Sequence, residues 1–535
     1  MHDVLAVQLL KRLGYLESQR QVWESHWQEV ADYVVPRKAD VTKKRTAGDK
    51  RTELVFDGTA IHAAELLSAS LHGMLTNSST RWFSLRFRDR ESNEEDVARE
   101  WLESVEDVMY KAFHRSNFQE QVHELYHDLI CFGTGVMFIE KDEEQGIRFQ
   151  TRHCSELYLA EDDKGRVDTV FRKFKMPIRA MVQRFGESSL SDKMRKRYEN
   201  NPYEMCTLLH VVQPRDERDT LKIDAKNKPF ASIYIDPEAK IVLSESGFDE
   251  FPYVAPRFLK ASFEHGYGRS PAMTALPDIK MLNKMSEVTI RAAQKQVDPP
   301  LMVPDDGFML PIRTVPSGLN FYRSGTRDRI EPMNIGSNAP IGLQMEEQRR
   351  QAIQSAFYVD QLIMAQGPQM TATEVMQRTE EKMRLLGPVL GRLQAELLQP
   401  LINRVYNIMM REKSFAPAPE FLQNANIEIE YVSPLAKAQK SGDLQSAMRM
   451  FELIGPLSQI DQSVLDYIDA DGMTKYILDT LAVPATTVRG ADEVEEIRGQ
   501  RQEEAAQQQQ MAEMAQTAQA MGQAAPALKA IGDAQ

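Results

Sequence analysis

The strongest constraint on how this chain can fold is a proline-rich insert, 298–343, held between two long helical patterns within the stretch His265–Glu380. A helix pair that leaves a body and returns to it can carry such an insert far from that body. The first pattern runs from Pro271 to Val297. Pro271 suits a first helical turn, where its missing N–H costs nothing. Pro277 competes for that role, so a regular helix that begins only there is the alternative. On a 3.6-residue wheel Lys280, Lys284, Arg291 and Lys295 share one face, with Ala275, Ile279, Leu282, Ala293 and Val297 roughly opposite. Asp298-Pro299-Pro300 stops the helix, since proline removes a donor and restricts the residue before it. The insert has short β-like runs crowded with Pro304, Pro311, Pro316, Gly318, Gly325 and Pro332. A second helix follows from about Gln344 to Met364, with Ile353 and Phe357 at i, i+4 spacing. Gly367-Pro368 then marks a loop, and Thr371 or Thr373 can cap the next helix.

Composition bounds the classes open to such a chain. At 535 residues it exceeds the size at which one core stops growing, so several subdomains are expected. Hydrophobic residues at 42% and charged residues at 27% fit an ordinary soluble protein. The longest apolar run, Leu129–Ile139, is too short for a bilayer and contains two glycines. The apolar run Val4–Leu10 precedes the first positive charges, the reverse of a signal peptide. Cys131, Cys154 and Cys206 have no paired spacing, which points to a reducing compartment.

The pattern along the chain is α+β and mainly helical. Helices are expected over 4–35 (Trp23, Trp27, Val30 and Val34 on one side), Thr59–Leu75, Glu94–Phe113 and Phe118–Phe132. Lys38–Arg51 reads as a basic, polar loop, and Trp82–Arg88 alternates as a strand. Val136–Ile139 and Arg148–Thr151 are β-like runs around a turn at Glu143–Gly146. Residues 155–260 mix short strands with one helix, Ile178–Phe185. Leu208–Gln213 and Ser232–Leu243 are the clearest strands, the second split by a hairpin turn between Ile235 and Ile241. Thr373–Glu412 is helical, with Pro388 and Pro400 as kinks or breaks. Ile427–Val432 alternates as a strand, and Ala436–Leu481 is helical again.

These residues, taken in order, resemble the portal, or head-to-tail connector, proteins of tailed double-stranded DNA bacteriophages. Two helices flanking an insert, followed by a loop and the segment Met370–Val375, carry the resemblance. The N-terminal motifs resemble the short-tailed branch. They are Trp23–Trp27, Tyr33–Arg37, Phe56-Asp57-Gly58-Thr59-Ala60, Leu71–Asn77 and Arg81-Trp82-Phe83, and the likeness spans roughly residues 1–490. The family implies a ring subunit with wing, stem, clip and crown regions. On this chain these fall as an N-terminal wing body 1–264, a first stem helix 265–297, a clip 298–343 and a second stem helix 344–364. A tunnel loop 365–372 follows, then a long helix with a returning wing strand 373–435 and a helical crown 436–499. The tail 500–535 is a low-complexity Gln/Ala-rich segment, without aromatics to build a core of its own. The resemblance further implies a homo-oligomeric, dodecameric ring at one capsid vertex, assembled with capsid and scaffolding proteins. Double-stranded DNA passes inward through it in packaging and outward in ejection. The terminase docks first and tail adaptor proteins later. No enzyme activity, no cofactor and no membrane are implied. The location is the virion, with the host cytoplasm during assembly.

Candidate site residues follow from these readings. A net charge of −13 argues against tight attachment to duplex DNA, for which neutralised phosphates are needed. An acidic lumen with a few basic rings suits sliding, although general acidity of soluble proteins explains the charge equally well. Lys280, Lys284, Arg291 and Lys295 are DNA-channel candidates if their helix lines a bore. Otherwise they are a solvated face, or salt-bridge partners of acids such as Glu346 and Glu347 across a subunit contact. The loop side chains Gln366, Gly367, Pro368, Gln369 and Met370 carry no charge, which suits a low-friction contact with a polyanion. Arg313, Arg323, Arg327 and Arg329 give the insert positive charge and are docking candidates at the clip.

One motif points elsewhere. His123-Glu124-Leu125-Tyr126-His127 matches H-E-x-x-H, in which two histidines share a helix face and bind zinc beside a glutamate base. A zinc peptidase would need a third ligand. The extended metzincin pattern fails, with Ile130 and Gly133 where glycine and histidine belong. Glu140, Glu143 and Glu144 are the remaining candidates, on a strand end and turn. The competing reading is an amphipathic helix with Val122, Leu125, Leu129 and Ile130 inward and its histidines partly exposed, making His123, Glu124 and His127 a decoy. Neither a G-x-x-x-x-G-K-[ST] loop nor a G-x-S-x-G elbow occurs in the sequence, so a nucleotide-driven motor of the first type has to be a separate protein.

Overall fold

The computed structural model describes residues 2–43, 46, 48–87, 96–144, 146–222, 224–302, 331–332, 339–362, 386–419, 427–430, 449–450, 452–454, 469–481, 489, 493–508 and 510–511. They divide into two compact units: 1–83, 109–414 and 433–435 in the larger, and 84–108, 415–432 and 436–535 in the smaller. This division differs from a continuous N-terminal body over 1–264.

In the larger unit, helix α1 (His2–Val34) buries Ala6, Leu9, Leu13 and Leu16 at three- and four-residue spacing. That stripe packs on one face of a five-stranded antiparallel sheet, against Phe171, Leu209, Val211 and Ile233. The sheet order is β4 (Leu157–Glu161), β5 (Val167–Pro177), β6 (Met205–Pro214), β7 (Phe230–Asp236) and β8 (Ile241–Phe248). The other face carries Phe174, Leu208 and Tyr234, covered by Ile178 and Met181 of the helix Ile178–Phe185 and Met194 of the helix Asp192–Asn200. The second of these helices was not expected. Its sequence, DKMRKRYEN, is so charged that the amphipathic signal is faint, and only Met194 is fully buried. Ser191 was the legible sign: its side chain accepts from the Met194 N–H at 3.2 Å.

The second half of α1 joins a helical layer with α2 (Thr59–Leu75) and the helix Phe118–Phe132. Trp27 is fully buried and donates its indole N–H to the Phe132 carbonyl at 3.1 Å, while Trp23 stays half-buried beside it. The helix Phe118–Phe132 ends at Gly133, where φ is 78° and a Cβ would run into the Gly268 backbone. A three-stranded sheet then follows in the order β3 (Gly146–Thr151), β2 (Met137–Asp142), β9 (Tyr253–Val254).

The helical stretch after the second long helix is described from residue 386 to 411. It runs through Pro388 and widens into a π-turn over Gln394–Leu398 just before Pro400. Pro400 has no N–H for the carbonyl four residues back, and the widened turn lies where that bond is missing. The π-turn holds Glu396 against Arg257, a residue only 2% exposed. The Arg257 guanidinium donates to both Glu396 oxygens, at 3.0 and 2.9 Å, and also pairs with Glu161. Lys260 meets Glu161 at 2.7 Å.

In the smaller unit, β1 (Ser84–Phe87) pairs antiparallel with the strand Ile427–Glu430, Leu85 opposite Ile429. The strand expected to return to the wing sheet therefore has β1 as its partner. Trp101 stacks on Phe87 and donates its indole N–H to the Ala416 carbonyl at 3.0 Å.

Removing one partner of a buried charge network strands the others. Arg257→Ala should cost about 3–5 kcal/mol in urea denaturation. Lys280→Ala, at an exposed pair, should cost less than about 1 kcal/mol.

Candidate functional site

The long helix pair is the natural place to look for function, and its root is built from polar side chains. Ser270 caps the first helix, accepting from the Met273 N–H at 3.0 Å and donating to the Cys131 carbonyl at 2.8 Å. The helix runs continuously from Pro271 to Val297 with Pro277 inside it, so it does not wait for Pro277 to begin. Ala275, Ile279 and Leu282 are buried as the wheel predicts. Ala293 and Val297 continue the same stripe, yet both are exposed, Val297 at 87%. Every residue from Arg291 to Asp298 is exposed.

Asn283, 3% exposed, locks the buried half in place. Its Oδ1 accepts from the backbone N–H groups of Phe56 and Asp57 at 2.8 and 3.1 Å, and its Nδ2 donates to the Ile279 carbonyl at 2.9 Å. Asp57 in turn accepts from the Thr59 N–H at 2.9 Å, starting α2, and from Arg350 at 3.0 Å. Burial works to raise the Asp57 pKa, but the bonds from Thr59 and Arg350 outweigh it and hold the carboxyl below its usual value. Two further pairs stitch the helices together: Thr289 donates to Glu346 at 2.6 Å, and Arg349 meets Asp278 at 2.7 Å. Of these polar residues the sequence marked only Glu346, as an acid for the basic stripe, and Asp57 with Thr59, within the Phe56–Ala60 motif; none was read as part of a joint. The helix wheel marks apolar faces, and a buried asparagine carries no periodic signal.

The second helix differs from its expected span, 344–364. It starts at Ala339 and ends at Ala356, because Phe357 turns fully inward and Tyr358 takes a left-handed conformation at φ 59° before a short turn Val359–Leu362. Ile353 and Phe357 are both 0% exposed. A short ladder, Leu301–Met302 with Glu331–Pro332, ties together the two sides of the insert. Arg313, Arg323, Arg327 and Arg329 lie outside the described residues, as do Gln366, Gly367, Pro368, Gln369 and Met370.

Within one chain the basic stripe meets Glu29 and Glu287. Lys280 meets Glu29 at 3.1 Å, and Glu287 takes both Lys284 at 3.0 Å and Arg291 at 2.6 Å. Lys295 is exposed. Glu346 and Glu347 are engaged by Arg350 of their own helix.

The H-E-x-x-H helix is amphipathic, with Val122, Leu125, Leu129 and Ile130 fully buried. Its two histidines are in unlike surroundings. His123 is exposed with its ring 5.7 Å from His72, while His127 is buried, contrary to the expectation that both are partly exposed. Glu124 pairs with Arg37 at 2.9 Å and Lys38 at 2.5 Å. Burial opposes its ionisation, yet these bonds bring its pKa to about 2, which makes it a fixed anion rather than a base. Burial pushes His127 down to about 4. Among the described residues no three His, Cys, Asp or Glu side chains gather as a metal site.

A family model described as bacteriophage head to tail connecting protein matches residues 6–488. The chain belongs to this family. A portal protein of Salmonella phage epsilon15 is 34% identical over 530 residues, which is 97% of this chain and 93% of the relative. A probable portal protein of Bordetella phage BPP-1 is 33% identical over 514 residues, 94% and 92% of the two chains. A solved chain from the neck of an empty GTA particle covers 84% of this chain and 98% of its own at 12% identity, with a TM-score of 0.35, too loose to argue from. The family makes this chain a phage head-to-tail connector and a component of the virion. No helix among the described residues is long and apolar enough to cross a membrane.

His127 has a folded pKa below its unfolded value of 6.5, so the folded state resists protonation and stability falls as pH drops from 6.5 towards 4. At pH 5 the loss from this group should be about 2 kcal/mol. Urea midpoints at pH 7 and pH 5 measure it, and His127→Gln should flatten the difference.

Proposed function

We propose that this connector works as a closed ring of identical subunits, dodecameric, set at one capsid vertex. The helix pair Pro271–Val297 and Ala339–Ala356 walls off the channel. Lys280, Lys284, Arg291 and Lys295 form stacked basic rings that attract passing phosphates weakly. The loop 365–372 narrows the bore with uncharged side chains, and the insert presents Arg313, Arg323, Arg327 and Arg329 to the terminase and later to the tail adaptors. DNA enters during packaging and leaves during ejection, and the motor is a separate protein. Capsid and scaffolding proteins surround the wing during assembly. The subunit is a structural element with no catalytic step.

The observation that supports this reading best is the first helix itself. Its initial half is buried in its own chain, and its apolar stripe then continues into solvent through Ala293 and Val297. A stripe left open in one copy is covered when copies stand side by side. A ring requires such unlike faces, since each subunit meets its two neighbours differently. The basic stripe suits sliding because each exposed pair is weak, about 0–1 kcal/mol, so its cations can exchange an acid for a phosphate cheaply.

Native mass and negative-stain images of the purified chain test the proposal. Large closed rings with a central hole are expected. A solitary subunit at every concentration contradicts it.

A further inference from the structure

A cluster of arginines lies away from the helix pair, where the three-stranded and five-stranded sheets approach each other. Strand pairing sets Arg172 opposite His210 and His210 opposite Tyr234 on one face of the larger sheet. The His210 and Tyr234 rings stack 4.1 Å apart. His210 donates to or accepts from Ser232 at 3.0 Å and Tyr253 at 3.4 Å, which uses both of its nitrogens. Arg184 reaches the Tyr234 hydroxyl at 2.7 Å. Arg172 lies over the Phe174 ring and pairs with Glu156 at 2.9 Å.

From the smaller sheet comes Arg152, two residues beyond Gln150, which stands opposite Phe138, as does Tyr253. Phe138 packs on both Tyr253 and His210. Arg152 is half-buried and its Nε is shut off from solvent. Among the described residues that Nε has no hydrogen-bond partner, and no carboxylate pairs with the guanidinium. A half-buried cation held in no ion pair, with a donor shut off from water, is costly, and such groups normally hold a partner. The cost is felt at the group itself: burial first, and then the charge of Arg172, lowers the Arg152 pKa, and the more distant pull of Glu156 and Glu140 does not make up the difference. His210 is pushed well down by burial and then by Arg184, Arg172 and Arg152. Nearby Glu140 is engaged by Gln150 at 3.3 Å.

We propose that Arg152, with Arg172 beside it, forms a site for a small tetrahedral oxyanion of the phosphate class. A planar fork of N–H donors suits such an ion, and the aromatic floor of His210, Tyr234 and Tyr253 keeps the local dielectric low. The competing closure is a direct contact between Arg152 and the unpartnered Oε1 of Gln150. That closure supplies a neutral acceptor and no counter-charge.

Calorimetric titration of the purified full chain with sodium phosphate, at constant pH and with ionic strength matched by chloride, tests the site. Saturable binding of one ion per subunit is expected, with Arg152→Gln weakening it at least about tenfold and Lys222→Gln, at an exposed surface pair, leaving it unchanged. Thermal unfolding gives a second check. In chloride alone Arg152→Gln should be at least as stable as the parent, because it removes an unpaired charge. In phosphate the order should reverse. No saturable heat, equal loss in both variants, or an Arg152→Gln chain that is already destabilised in chloride overturns the proposal. Heat from a short DNA duplex with none from inorganic phosphate overturns it as well.

Discussion

A single buried amide, Asn283, sets where the helix pair stands. It spends its oxygen on the Phe56 and Asp57 backbone and its nitrogen on its own helix, so the first long helix is fixed in rotation as well as position. Asp57 then passes that constraint to α2 through the Thr59 N–H and to the second long helix through Arg350. A polar joint of this kind is worth more for specificity than for stability. Apolar packing of Ile279 and Leu282 tolerates small rotations, whereas a buried amide left without its partners costs about 1–3 kcal/mol. The register of everything the helices carry outward depends on this joint.

The same helix changes character along its length. Up to Ser286 its inner face is enclosed by its own chain, and beyond Thr289 it is not. Its charged face is balanced locally by Glu29 and Glu287. The opposite arrangement holds in the body, where Arg257 bridges two glutamates in a buried position and binds the π-turn at Glu396. Strong ionic contacts therefore anchor the body, and weak, exposed ones coat the projecting helix. That gradient fits the proposed ring, in which the body is the fixed frame and the helix the surface over which DNA would slide.

Much of this was legible in the sequence where one face of an element is buried. Thr59–Leu75, Phe118–Phe132 and Pro271–Val297 match their expected limits because apolar spacing and terminal residues agree. The hairpin between Phe230–Asp236 and Ile241–Phe248 was legible from its turn at Asp236–Lys240, although Phe230–Asp236 is buried almost throughout and shows no period-two pattern. Elements that bury little were not. Asp192–Asn200 hides one side chain, and the partner of Ile427–Glu430 is a strand more than three hundred residues earlier, a pairing that local pattern cannot reveal. The site was the least legible part. Asn283, Asp57 and Arg350 act through pairings across the fold, and the acids that meet Lys280 and Lys284 within one chain, Glu29 and Glu287, carried no mark in the sequence as their partners.

Hydrogen exchange along the helix Pro271–Val297, read in the isolated subunit and in the assembled particle, tests the central claim most directly. Amides up to Ser286 should be protected in both states, while those from Arg291 onward should gain protection only on assembly. Equal protection of the whole helix in both states would contradict an apolar stripe that is completed by neighbouring copies.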